Sequence, residues 1–156
     1  MEKEIYNEIA LLEKKHWWYV ARRSILGHIL SNLHKNKNKN IDILEIGCGT
    51  GGNLEFLSAF GRLYAIEMDP LALKLANEHK ITTVEQGFLP DGIPFHDKVF
   101  DLIIMLDVLE HIEKDSLSLN TVYKLLSQDG MVILTVLAYT FLWGGHDVVA
   151  HHKRRY

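Results

Sequence analysis

Hydrophobic residues are spaced in two different ways along the chain, and the change comes at Ile41. Before it, apolar positions recur at helical intervals. Ile5, Ile9 and Leu12 fall at i, i+4 and i+7 among Glu and Lys, which predicts an amphipathic helix over residues 3–15. The aromatic run His16-Trp17-Trp18-Tyr19 follows. It suits either a lid over a bound molecule or the packing of an N-terminal helix. A second helical stretch has Ile25, Ile29, Leu30 and Leu33 as its apolar positions. Residues 35–40 alternate Lys and Asn and read as a solvated linker, with too few lysines for a nucleic-acid patch.

From Ile41 short apolar runs alternate with helical patterns, as in βαβ units on a parallel sheet. Five strands are expected, over residues 41–46, 63–68, 81–85, 99–106 and 131–137. Helices are expected over residues 53–60, after Asp69-Pro70, and before Gly130. Asp69 is a natural N-cap and Pro70 a natural first helical residue. The last of these helices is expected to bury Leu119, Val122, Tyr123 and Leu126. Residues 99–106 are almost continuously apolar, as a strand covered on both faces should be. The expected fold class is α/β, a doubly wound parallel sheet. Residues 1–40 would form a helical cap and linker, 41–140 a Rossmann-like core and 141–156 a tail.

Composition narrows the function classes. The chain has 156 residues, 47% of them hydrophobic, and a net charge of -3. That is enough to build a core and gives no electrostatic case for a nucleic-acid partner. The single cysteine, Cys48, excludes an internal disulfide and suits a reducing compartment. No apolar run reaches the length of a bilayer span, and the charged N-terminus lacks the apolar block of a signal peptide. A cytoplasmic setting is the expectation.

The candidate chemistry lies in Ile43-Leu44-Glu45-Ile46-Gly47-Cys48-Gly49-Thr50-Gly51-Gly52-Asn53. Gly47, Gly49 and Gly52 fit G-x-G-x-x-G, while Gly47, Gly49 and Gly51 fit G-x-G-x-G. Either pattern lets backbone approach a ligand at a helix N-terminus. Glu67, at the end of the second expected strand, is placed to accept hydrogen bonds from the ribose hydroxyls of an adenosine. A nicotinamide dinucleotide would use the same device. Glu45 separates the possibilities, because a carboxylate beside the turn would repel a pyrophosphate and favours a ligand carrying cations.

ILEIGCGTGGN resembles the first motif of class I S-adenosylmethionine (SAM)-dependent methyltransferases. LYAIEMDP resembles their second motif, FDLIIMLDVLEHIEKD their strand-four motif and GMVILTV their strand-five segment. The closest likeness is to the broad small-molecule group, which includes quinone methyltransferases. The resemblance implies a SAM cofactor and S-adenosylhomocysteine (SAH) as product. It implies that Glu45, Gly47, Cys48, Gly49, Gly51 and Asn53 surround the methionine portion. Glu67 would hold the ribose, Met68, Gly87 and Phe88 would lie by the adenine, and Leu106 and Asp107 would border the methionine and the acceptor.

The acceptor implied is a small molecule or a lipid- or glycan-linked group. HWWYVARR and WGGHDVVAHHKRRY are similar to segments of bacterial methyltransferases, some of them linked to glycan or polyprenyl chemistry. His111, His146 and Asp147 are candidate bases, with no catalytic residue fixed. The spacing of His146, His151 and His152 fits no standard zinc motif, so no metal is expected. Lys153-Arg154-Arg155 reads as a solvated terminus.

The resemblance also implies two further strands, which the sequence does not supply. The chain is therefore expected to be a fragment, or to have another chain covering strand five, with a homodimer through that edge. Folding back of Phe141, Leu142 and Trp143 is the competing way to cover it. A non-catalytic SAM-binding domain and a NAD-dependent reductase are the alternatives in function.

Overall fold

In the computed structural model the described residues are 3–34 and 40–156, without the side chains of residues 3–5, 7, 9 and 34. The expected Ile5–Ile9 face and most of the Lys/Asn linker therefore lie outside the described residues.

Five parallel strands form one sheet in the order β3-β2-β1-β4-β5. They are β1 (Ile41–Ile46), β2 (Gly61–Glu67), β3 (Val84–Gln86), β4 (Phe100–Leu106) and β5 (Leu126–Thr135). Helices α1 (Lys3–Leu12) and α2 (Trp17–His34) precede the sheet, and α3 (Leu54–Ser58), α4 (Pro70–Glu78) and α5 (Asp115–Lys124) connect strands. A short α6 (Gly145–Val149) follows β5.

Successive strand residues point to opposite faces, so each strand feeds two cores. Ile43, Leu102 and Ile104 join Leu26 and Leu30 of α2 and Leu54 and Leu57 of α3. Leu44, Ile66 and Ile103 join Val122 and Leu125 at the end of α5. Both faces are covered, which explains the unbroken apolar runs and gives the doubly wound architecture expected. Asp69 caps α4 through hydrogen bonds from the Leu71 and Ala72 amides, with Pro70 first in the helix.

Several expectations need correction. The third strand starts three residues later and ends one residue later than its pattern suggested, and Ile81 is exposed. The fifth begins at Leu126 and carries a register irregularity between Leu126 and Met131, because Phe100 pairs with Leu126 while Leu102 pairs with Met131. Leu126 is thus strand, not helix. On α5 the buried residues are Ser118 and Val122, whereas Tyr123 is 77% exposed. Apolar spacing fitted two faces of that helix, and the hydroxyl of Ser118 bonding back to the Lys114 carbonyl let the more polar one turn inward. On α2, Leu26 and Leu30 are buried but Ile25 and Ile29 are exposed. Trp17, 70% exposed, opens that helix and does not pack in the core.

The C-terminal segment is not a solvated terminus. The Tyr156 amide donates to the Leu137 carbonyl, the Tyr139 amide to that of Tyr156, and the Lys153 amide to that of Glu110. Arg154 binds Asp115, and Arg155 binds Asp147. Phe141, 80% exposed, does not cover β5, whose outer edge carries no strand among the described residues. None of the described helices is long and apolar enough to cross a membrane.

Candidate functional site

The carboxyl ends of β1, β2 and β4 meet at the glycine turn, where the strand order reverses direction from β1. Such a switch point opens a crevice beyond the sheet. The turn needs glycine for two different reasons. Gly47 has φ +71°, and a Cβ there would lie 2.7 Å from Val108 Cγ2. Gly49 has φ +57°, and a Cβ there would meet nothing within 4 Å, so its open side is room for a ligand.

Three carboxylates gather around this turn. Glu67 is buried; it accepts hydrogen bonds from the Gly49 amide at 2.8 Å and from the Met68 and Asp69 amides at 2.9 Å. It thereby ties the end of β2 to the turn while keeping acceptor capacity for a further donor. Glu45 is buried and takes one hydrogen bond, from Asn53 Nδ2 at 3.1 Å, while its Oε2 has no partner. Burial pushes its carboxyl up to about 7, with Glu13 and Glu67 adding to the rise. Glu13, from the turn between α1 and α2, accepts from Thr50 Oγ1 at 2.6 Å and packs against Gly52. Its carboxyl is also raised, again chiefly by burial.

Asp107, at the end of β4, has φ +57°. Its carboxylate accepts from Thr135 Oγ1 at 2.7 Å and from Arg22 of α2. Arg22 keeps a buried Nε without a partner. Thus α2 supplies a cation to the same crevice that the three acids line. Cys48 is buried in the turn, and burial followed by Glu45 pushes its thiol up, so it is not a reactive thiolate.

The expected site residues divide into groups. Glu45, Gly47, Cys48, Gly49, Gly51, Asn53, Glu67, Leu106 and Asp107 come together at the three strand ends. Gly87 stays close, because its amide donates to the Glu67 carbonyl. Met68, 66% exposed, and Phe88 stand on the rim, Phe88 in a bridge with Gly92.

His111, His146 and Asp147 belong to a separate cluster with the C-terminal segment, past the end of β5. Asp147 is fully buried, held by Arg155 through both oxygens, by His152 Nδ1 and by the Gly144 amide. The Arg155 hydrogen bonds hold its carboxyl below the usual range, which makes it a poor base. His111 is lowered by loss of water around its ring and then by His152, so it stays neutral near neutrality.

Sequence reasoning missed Glu13 and Arg22, and it weighed His152 only as a metal ligand. Glu13 and Arg22 sit in amphipathic helical stretches as ordinary polar residues, and only packing of α2 on the sheet turns them inward. A signal existed for Arg22, which is four residues before the buried Leu26 and so shares its face.

Known proteins are similar in both sequence and shape. A family model described as a methyltransferase domain matches residues 17–155. The mitochondrial ubiquinone biosynthesis O-methyltransferase of Schizosaccharomyces pombe is 26% identical over 90% of this chain and 56% of its own length. The chain spans about half the length of the curated relatives it matches. Streptomyces venezuelae DesVI superposes with a TM-score of 0.71 at 17% identity, over 92% of this chain and 61% of that one. The N-methyltransferase NodS of Bradyrhizobium japonicum, solved with SAH, superposes with a TM-score of 0.67 at 19% identity, over 81% of this chain and 65% of that one. At those identities the structural likeness speaks for the fold.

Proposed function

The chain belongs to the methyltransferase domain family, and from that premise we propose that it binds SAM in the crevice at the glycine turn and passes the methyl group to a small-molecule or lipid- or glycan-linked acceptor. The observation that carries the reading is Glu45. A buried carboxylate with an unpartnered oxygen and a raised pKa costs stability unless something compensates it. The α-ammonium and sulfonium of SAM supply that compensation, and no phosphate has to pass the acids.

The remaining assignments follow from the same chemistry. Glu67 takes the ribose hydroxyls in addition to its three amides. The open side of Gly49 admits the ligand. Arg22, with its free Nε, is the cation for the methionine carboxylate. Gly87, with Met68 and Phe88 on the rim, borders the adenine, and Leu106 and Asp107 face the methyl group and the acceptor. SAM supplies an activated methyl when bound; the protein has to align the acceptor and exclude water. Such positioning supplies roughly 7–11 kcal/mol of a bimolecular barrier.

Parallel calorimetric titrations with SAM, SAH and NADH test the binding reading. SAM and SAH should bind one per chain and NADH should not. Heat from NADH alone would support a reductase. Release of SAH on addition of candidate acceptors then separates a transferase from a domain that only binds SAM.

A further inference from the structure

The crevice leaves one set of chemically competent groups unused. His152 packs between His111, at 4.7 Å between ring centroids, and His146, at 5.8 Å, with both neighbours edge-on to it. His152 Nδ1 lies 3.0 Å from Asp147 Oδ1. Its side chain is 6% exposed, and His111 and His146 are more open to solvent than it is. These rings are not arranged as a metal ligand set, since among the described residues no group of three or more His, Cys, Asp or Glu could hold a metal ion.

Location gives the cluster its interest. His111 and Glu110 form the short 3-10 helix Leu109–His111 directly after Asp107, at the end of β4. Asp107 influences the ionisation of both. The backbone of Lys153 is tied to Glu110 at 2.7 Å. The histidine cluster is therefore linked, through Glu110 and the Lys153 backbone, to the end of β4 where the crevice opens.

We propose that His152, oriented by Asp147, is the general base for an acceptor hydroxyl, a role that rests on the SAM reading above. A carboxylate on Nδ1 fixes the tautomer with the proton there and leaves Nε2 as a bare lone pair. Arg155 neutralises Asp147 from the other side. An acceptor hydroxyl needs such a base because it ionises poorly. In the step, the acceptor O–H proton passes to Nε2 of His152. The oxygen forms its bond to the methyl carbon as the S–CH₃ bond breaks. The sulfur keeps that electron pair, giving SAH, the methyl ether and an imidazolium that later releases its proton to water.

The charges facing His152 come from each surrounding element. They are Asp147 and His146 of α6, Arg155 of the C-terminal segment behind Asp147, and His111 and Glu110 after β4. The sulfonium adds one more when SAM is bound, and SAH lacks it. A full charge within about 8 Å lowers an imidazole's proton affinity by about tenfold.

The test is a histidine ¹⁵N NMR titration of the full chain from pH 5 to 8.5, saturated with SAM or with SAH. Side-chain-to-backbone correlations assign the rings without any variant. The expected result is neutral His152 protonated on Nδ1, with a midpoint about one pH unit lower under SAM than under SAH. A proton on Nε2, equal midpoints in the two complexes, or a shift confined to His111 or His146 would each overturn the proposal. Calorimetry on the same samples keeps the two readings apart. Failure to bind SAH overturns the SAM assignment itself, whereas SAH binding with an unshifted His152 overturns only the base.

Discussion

Glu45 and Asp147 are both carboxylates taken out of water, and they are held in opposite ways. Glu45 has one amide donor and an oxygen with no partner, and its carboxyl is pushed up to about 7. Asp147 has an arginine, a histidine and a backbone amide, and its carboxyl is held low. The same burial therefore produces a group waiting for a cation at the glycine turn and a saturated brace for the C-terminal segment. An incompletely satisfied buried charge points to a ligand; a satisfied one points to structure, or to orienting a neighbour.

The largest effect should come from closing the open side of the turn. Gly49→Val is expected to reduce SAM affinity at least a hundredfold while far-ultraviolet circular dichroism stays close to wild type. The branched side chain would fill ligand space and adopt φ +57° with strain. Wild-type affinity in that variant would detach the turn from the cofactor.

Glu45→Gln sharpens the contrast through pH. The folded-state pKa of Glu45 is raised, so the folded protein binds more protons than the unfolded chain between pH 4.5 and about 7. Its contribution is therefore favourable in acid and is lost as pH rises through that window, by at most about 3 kcal/mol. The stability of Glu45→Gln relative to wild type should climb over that range in urea titrations and then level off. A pH-independent difference would mean Glu45 is already ionised in the empty site. The same ionisation makes SAM affinity rise with pH up to about 7 in wild type and flattens it in the variant.

Glu67→Ala should weaken SAM binding by roughly 1.5–3 kcal/mol, through two lost hydrogen bonds to a charged acceptor. Unchanged affinity in calorimetry would leave Glu67 as a tie between β2 and the turn and nothing more.

The smallest effect concerns the bare side of β5. Its outer edge is expected to support weak self-association, seen as a mass that rises with micromolar concentration in light scattering. Leu134→Lys should suppress it. A constant monomeric mass in the wild type would rule out the edge dimer.

The two regions also differed in how far the sequence revealed them. Strands β1 and β4, the glycine turn and the Asp69-Pro70 cap are local patterns and formed where their residues indicated, while β2 starts two residues earlier and ends one residue earlier than expected. The β3 boundary and the register irregularity before Met131 depend on pairing with β2 and β4, which no local pattern records. The inward turn of Glu13 and Arg22 and the enclosure of Asp147 by Arg155 and His152 depend on which helix face packs. In each case the residues were visible and their partners were not.

The most direct measurement of the central claim is a crystal structure of this chain with SAH. The account predicts ribose hydroxyls on the Glu67 carboxylate, the ligand passing the open side of Gly49, and its α-ammonium beside the free oxygen of Glu45. An SAH bound elsewhere, or bound in the crevice with Glu45 still unpartnered, would contradict it.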